Sequence, residues 1–444
     1  MAGASEPDTV STRQRRIAEL ARQAKQMGFT ALNHYLDLDW LREAFRRTRR
    51  DGAPGVDGQT VTDYEANLET NLASLLERAK SGTYRAPPVR RVYISKGGNS
   101  QELRPLGIPT LEDKILQRAV VMALEPIYEQ DFHPCSYGFR PGRSAHQALA
   151  ELRQQAMDLG GGWVVDVDIR KFFDTLDHAH LRSLLQHRVR DGVLLRLIGK
   201  WLNAGVCEEG TVTYPEAGTP QGGVISPLLA NIYLHYVLDE WWFQEVRPRL
   251  KGHAFLIRYA DDFVIVCEHE SDARRVREVL PKRFGKYGLT LHPDKTRLVP
   301  FQRPRQRQGR GEPGSGNRPG TFDLLGFTHY WGRSRKGNAV VMRRTADGRM
   351  RRFAQAIAAW CRRNRHRPIP EQHQVLSQKL CGHDNYYGIT GNYAALNRVR
   401  EIVKHIWRYW LSHRSWRGKV TWERLWSLLE RFPLPAARVV HSVY

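Results

Sequence analysis

Asp261 and Asp262 stand side by side between two apolar runs, Leu256-Ile-Arg-Tyr259 and Phe263-Val-Ile-Val-Cys267. Each run reads as a short buried strand, and the acidic pair falls at their junction. Successive side chains of a strand point to opposite faces, so a tight turn must bring both carboxylates to one edge. Two anions taken out of bulk water need cations or donors to meet them. The chemistry this suggests is a divalent-metal site; the other reading of an isolated Asp-Asp is an acidic hairpin turn. A second acidic stretch, Trp163–Asp177, supplies more carboxylates. Val164, Val165, Val167 and Ile169 make a buried strand on which Asp166 and Asp168, two apart, share one side. Spacing alone does not say which of them would bind metal.

Cations suited to phosphate lie elsewhere in the chain. Arg90–Lys96 alternates like a strand, Gly97-Gly98 turns it, and Leu103–Pro109 returns. A hairpin carrying Arg91, Lys96 and Arg104 suits a triphosphate, whose non-bridging oxygens need neutralising; a solvated basic hairpin is the alternative. Gly288–Val299 reads as strand-turn-strand with Lys295 near the turn, where an ammonium group can stabilise or protonate a departing phosphate. In Gly218–Tyr233, the Pro220-Gln221-Gly222-Gly223 loop excludes regular structure and lets backbone approach a ligand. Ser226 reads as a helix N-cap with Pro227 at the first helical position, the helix running to about Trp242. The loop suits the floor of a base-binding site, or is an ordinary loop-to-helix junction.

The elements that must position these groups follow from periodicity. Residues 11–27 read as a basic amphipathic helix with Ile17, Leu20, Ala24 and Met27 on one stripe. A second helix is expected over Leu38–Arg50, broken by the glycine- and proline-rich Asp51–Gly58. Leu111–Ile127 reads as an amphipathic helix, and Ser144 as the cap of one reaching Met157. Ser271 is expected to cap a helix interrupted at Pro281. Residues 301–320 are rich in Arg, Gln, Gly and Pro and read as a mobile insertion. Phe322–Tyr330 returns to strand character. Leu396, Val399, Val403, Ile406 and Trp410 mark a helical C-terminal region.

The chain has 444 residues, enough for two or three domains, and a formal charge of +23. Residues 341–444 alone hold 20 basic and 6 acidic side chains. That excess points to a polyanion, most simply nucleic acid. Arg343, Arg344, Arg351, Arg352, Arg362, Arg363, Arg365, Arg367, Lys404 and Arg408 are candidate RNA contacts. Tyr386, Tyr387, Trp407, Trp416, Trp422 and Trp426 interleave rings that can stack on unpaired bases or form core. Five scattered cysteines suggest neither a disulfide framework nor a zinc module, and no apolar stretch reaches the ~20 residues a membrane span needs. The expectation is a soluble protein of the cytosol or nucleoid, without a membrane partner.

Tyr259-Ala-Asp-Asp262 resembles the signature of reverse transcriptases. The basic hairpin, the Asp168 strand, the Pro-Gln-Gly-Gly loop, the Lys295 turn and Leu324-Leu-Gly-Phe327 follow in the order of that family's fingers and palm. Asp51–Gly58, Arg104–Thr110, Tyr137–Arg143, Lys379–Gly391 and Thr421–Pro435 are similar to the intron-encoded reverse transcriptase and maturase of bacterial group II introns. The resemblance implies an α+β right-hand polymerase: a basic helical extension (1–50), fingers and palm (51–335), and a helical thumb and maturase region (336–444). It selects Asp168, five positions before the aromatic Phe173, as the metal aspartate and leaves Asp166 and Asp174 as supporting residues. It implies two Mg²⁺ ions on Asp168, Asp261, Asp262 and the Ile169 carbonyl, with Arg91, Lys96, Arg104, Phe173, Gln221 and Lys295 around the nucleotide. The implied partners are group II intron RNA, an RNA template with a DNA primer, deoxynucleoside triphosphates and a DNA target site. The nuclease module of many relatives has no counterpart before Tyr444, so target cleavage is not expected. A splicing factor with a dispensable polymerase site, or a reverse transcriptase recruited to host defence or repair, are the alternative functions.

Overall fold

The computed structural model describes residues 9–95, 103–214, 217–218, 222–304, 320–334, 336–414 and 418–442. Lys96, Gln221, Trp416 and most of the expected insertion therefore lie outside the described residues. Helices alternate with short, mostly antiparallel sheets, giving the α+β class expected from sequence. Two compact units form, one from residues 1–94, 104–148 and 165–298, the other from 95–103, 149–164 and 299–444.

The first unit is centred on helix Leu111–Tyr128. Ile115, Leu116, Ala119, Val120, Ala123, Leu124 and Ile127 are all inaccessible, so this helix is a core rod buried nearly all round rather than an amphipathic surface helix. Helix Val10–Gln23 packs on it, its start capped by Thr9 Oγ1 accepting the Thr12 N–H at 3.2 Å. The buried face is Thr12, Ile17 and Ala21, while Leu20 and Met27 are exposed. The expected stripe is rotated because small Ala21 faces inward. The Arg188 guanidinium holds the carbonyls of Ala21, Ala24 and Met27 beyond it. Helix Leu38–Arg46 starts on an Asp37 cap and stops four residues earlier than periodicity suggested.

Two sheets carry the chemistry-bearing stretches. One joins β1 (Val89–Ser95), β2 (Leu103–Ile108), β4 (Val206–Glu208) and β5 (Thr211–Thr213) in the order β2-β1-β4-β5; β3 is Trp163–Val167. The other joins β3 to β6 (Ala254–Tyr259), β7 (Asp262–Cys267) and β8 (Arg297–Pro300) in the order β6-β7-β3-β8. β7 is buried along Phe263–Cys267. Ser226 is the first residue of its helix rather than the cap: Ile225 takes the cap position and Ser226 is buried. The α-helix ends at Leu234 and continues as two wider π segments, His235–Asp239 and Trp242–Val246. Helix Glu270–Gly285 passes through Pro281 without interruption and starts after His269, not at Ser271.

In the second unit β10 (Phe327–Arg333) pairs antiparallel with both β9 (Phe322–Leu324) and β11 (Ala339–Thr345). Helices Asp347–Asn364, Ile369–Tyr387, Tyr393–Leu411 and Trp422–Arg431 follow. Their core gathers Ile357, Cys361, Leu376, Leu380, Val399, Val403, Trp407 and Leu425. Trp407, a candidate base-stacking ring, is inaccessible and donates its indole N–H to Gln372 Oε1 at 3.0 Å, so it is core. No helix among the described residues is long and apolar enough to cross a membrane.

Candidate active site

β6 and β7 pair in register from Ala254↔Cys267 to Tyr259↔Asp262, leaving Ala260 and Asp261 as a two-residue turn. Such turns need φ > 0, and Ala260 has φ +56°, uncommon for a residue with a Cβ. The surroundings hold it there. Arg258, fully buried, donates from Nη1 to the Ala260 carbonyl at 3.1 Å and to Asn231 Oδ1 at 2.9 Å. Its Nε and Nη2 donate to the buried Asp239 carboxylate at 2.8 and 2.5 Å. Segment Cys135–Gly138 runs beside the end of β6: Arg258 N–H donates to Cys135 O at 2.8 Å, and Tyr137 N–H to Arg258 O at 2.9 Å. Asn231 Nδ2 donates to Gly138 O at 2.7 Å. A Cβ on Gly138 would lie 2.3 Å from Ala260 N, so only glycine allows this approach.

The turn leaves Asp261 half-buried and Asp262 exposed at the start of β7. Burial pushes the Asp261 carboxyl up, and the charge of Asp168 adds to that; its own backbone N–H and Arg104 oppose it. Asp168 follows β3. Its carbonyl accepts the His292 N–H at 2.8 Å and Ile169 bridges to Leu291, so the Asp168 and Lys295 stretches are tied backbone to backbone. Lys295 Nζ lies 3.0 Å from Asp168 Oδ2, and Arg297 Nη2 lies 2.7 Å from Asp166 Oδ2. The two carboxylates that spacing left equivalent thus take different cations, Asp166 at the strand and Asp168 at the turn.

Asp168, Asp261 and Asp262 form a more open set than the closest trio of ligand-type side chains among the described residues, whose atoms lie within 4.8 Å of one another. Their chemistry nevertheless fits a hard divalent cation: oxygen donors, partial burial, and Asp261 carrying a like-charge penalty from Asp168. Lys295 beside Asp168, and Arg104 and buried Arg258 acting on Asp261, are counter-charges there.

The remaining expected nucleotide residues fall as follows. Arg104 is exposed on β2 and acts electrostatically on Asp261. Arg91 is half-buried on β1 and hydrogen-bonds Tyr93. Phe173 is half-buried in the short helix Phe172–Thr175, edge-on to buried Phe172 at 5.3 Å. A Cβ on Gly218 would meet the Phe173 and Asp174 carbonyls at 2.8 Å, so Gly218 lies against this turn.

The basic residues of the C-terminal unit divide into two kinds. Arg351, Arg362, Arg363, Arg365 and Arg367 are exposed, Arg344 is over half exposed, and Arg352 is intermediate. Arg343 is a correction: it is 3% exposed, opposite buried His329 in the β10–β11 register. Burial brings its pKa down to about 10. An inward-facing strand position, not visible in a run of arginines, removes it from the surface. Lys404 pairs with Glu401 at 2.8 Å over the Trp426 ring, and Arg408 lies 4.5 Å from the Trp422 ring centroid. Both are half-buried.

Sequence reasoning missed the support of the acidic turn: Arg258, Asp239, Asn231 and Gly138. The available signal was one arginine within Leu256-Ile-Arg-Tyr and one aspartate within Val237-Leu-Asp, each a charge in an apolar run.

Residues 94–329 match the family described as reverse transcriptase (RNA-dependent DNA polymerase), just over half of the chain. This chain is a reverse transcriptase family member. Protein YkfC of Escherichia coli is 35% identical over 387 residues, covering 79% of this reverse transcriptase and 96% of YkfC. Group II intron-encoded protein LtrA of Lactococcus lactis is 46% identical over 233 residues, 52% of this chain and 38% of LtrA. Nuclear intron maturase 2 of Arabidopsis thaliana is 38% identical over 232 residues, 43% of this chain and 30% of the relative. The resemblance to group II intron reverse transcriptases and maturases holds in these relatives.

Proposed function

We propose that the protein is an RNA-directed DNA polymerase and intron maturase that binds a group II intron RNA, assists its splicing and copies it into cDNA. The observation that carries the polymerase reading is the Ala260-Asp261 turn, pinned so that Asp261 feels the charge of Asp168 from a distant strand. Asp168, Asp261, Asp262 and the Ile169 carbonyl would hold two Mg²⁺ ions. When bound, such a pair lowers the pKa of a primer 3′-hydroxyl and offsets charge on departing pyrophosphate.

The chain's own residues do the rest. Arg104 and Arg91, on neighbouring strands, together with Lys96 would orient the triphosphate by neutralising its non-bridging oxygens. Gln221, outside the described residues, would contact the nucleotide by the family resemblance. Phe173 presents a ring that would clash with a ribose 2′-hydroxyl, giving deoxynucleotide preference. Lys295, which rests on Asp168 at 3.0 Å, moves to the pyrophosphate and supplies it with a proton. The exposed arginines of helix Asp347–Asn364 and the turn after it bind RNA phosphates. LtrA is named as group II intron-encoded and the Arabidopsis relative as an intron maturase, and those names support the maturase half of this reading.

Primer extension on a homopolymer RNA template with matched deoxynucleotide, with and without Mg²⁺, tests the polymerase. Asp261→Ala is expected to abolish extension with RNA binding nearly intact. Loss of both together would make Asp261 a structural residue and sink the assignment.

A further inference from the structure

Away from the acidic site, His133, His235 and Glu240 each place one ligand-type atom within 4.8 Å of the others. His133 lies beyond the end of the central helix; His235 opens the first π segment and Glu240 follows it. His133 Nε2 is 2.9 Å from Glu240 Oε1, and His235 Nε2 is 3.6 Å from the same oxygen. Atoms held by one tetrahedral zinc ion, at bonds of about 2.0–2.2 Å, stand about 3.4 Å apart. The two separations bracket that spacing.

A plain ion pair accounts for His133 but not for His235. His235 is 2% exposed, its gap to Glu240 is longer than a hydrogen bond, and its Nδ1 has no hydrogen-bond partner among the described residues. An ion between His235 Nε2 and Glu240 Oε1 would fill a gap too long for a hydrogen bond, while Nδ1 is the ring's other nitrogen and takes no part in the site. The other two groups are already oriented from outside the trio. Gln244 donates its side-chain amide to Glu240 Oε2, and Phe243 stacks on His133 at 4.3 Å. Such outer contacts are what fix metal ligands in place. The π geometry matters here. Residues five apart fall near one another across a turn of π-helix, whereas an α-helix would turn them apart.

We propose that His133, His235 and Glu240 bind one divalent zinc-class ion, with a water completing the tetrahedron. The ion cross-links the stretch after the central helix to the widened helix that also supplies Asp239. Two imidazoles and a carboxylate favour zinc over magnesium, which prefers oxygen donors alone. The site is thus chemically separate from Asp168, Asp261 and Asp262.

The test uses the full chain carrying Asp261→Asn and Asp262→Asn to remove competing oxygen ligands, stripped with chelator and titrated with Zn²⁺ alone. Metal content after gel filtration and the melting temperature are read. One equivalent of zinc is expected to be retained with a raised melting temperature, and the same concentration of Mg²⁺ gives neither. His133→Gln and Glu240→Gln should each lose that equivalent and the shift. The His133 side chain is 25% exposed and contacts Glu240 and Phe243, so the zinc-dependent shift of each variant is read against that variant's own metal-free melting temperature. Co²⁺ in place of Zn²⁺ should give visible bands without thiolate charge transfer. Zinc retained equally by both variants, no zinc retained by the parent, or thiolate bands with Co²⁺ would overturn the proposal.

Discussion

Arg258 and Asp239, both fully inaccessible, meet through two hydrogen bonds of 2.8 and 2.5 Å, one residue along the strand from the Tyr259–Asp262 turn. Removing one member of such a pair leaves a buried charge uncompensated. Arg258→Met is expected to lower stability by about 3–5 kcal/mol. Arg258→Lys retains charge but cannot reach Asp239, Asn231 and the Ala260 carbonyl together, so it should fold less stably and extend primers poorly. Denaturant titration and extension rate check this; a Lys variant with wild-type extension would show that the turn does not need the guanidinium fork.

Lys295 contacts Asp168 at 3.0 Å. If it also delivers a proton to pyrophosphate, Lys295→Ala should slow single-turnover extension by about 10²–10⁴-fold. Lys295→Arg separates charge from proton transfer, because guanidinium does not give up its proton. Restoration of rate by Arg would reduce Lys295 to a counter-charge.

Asp113 supplies a pH dependence of stability. It is 1% exposed, accepting from the Tyr84 hydroxyl and from Trp201 Nε1 at 3.0 Å, and burial pushes its pKa up to about 7. The fold therefore favours the neutral acid. The contribution of this group is fully present below the ordinary carboxylate pKa of about 3.9 and is lost as pH rises through about 7. Asp113→Asn should flatten the decline in stability across that window, measured by denaturation midpoints at several pH values. Parallel curves for both proteins would contradict it.

Binding to RNA should weaken linearly in a log–log salt titration. Arg362→Ala with Arg363→Ala, both exposed, should shallow the slope by about 1 per arginine removed. Arg343→Met should leave the slope alone, since that side chain is buried. Filter binding over a salt series distinguishes the two.

The acidic hairpin, β3, the Lys295 turn and the helical character of the C-terminal region were legible because each is a local pattern: apolar alternation, a turn signal, or a 3.6 repeat. What escaped was settled by distant partners. Leu20 and Met27 could not be known as exposed without the helix that Ala21 packs on. Arg343 reads like its neighbours in an arginine run until strand register turns it inward beside His329. His235 and Glu240 share a face through π geometry, to which a 3.6 period is blind, and His133 joins them from 102 positions earlier. Asp166 and Asp168 parted only when Arg297 and Lys295 chose between them.

The spacing at position 138 carries a consequence for anyone redesigning this chain. A single methyl there would collide with the amide nitrogen of Ala260 before it touched any carboxylate. Such a protein would keep every acidic side chain, yet the backbone of the turn would have to give way and carry them out of true. Screening such variants for solubility alone would pass a tool whose cutting edge had been moved.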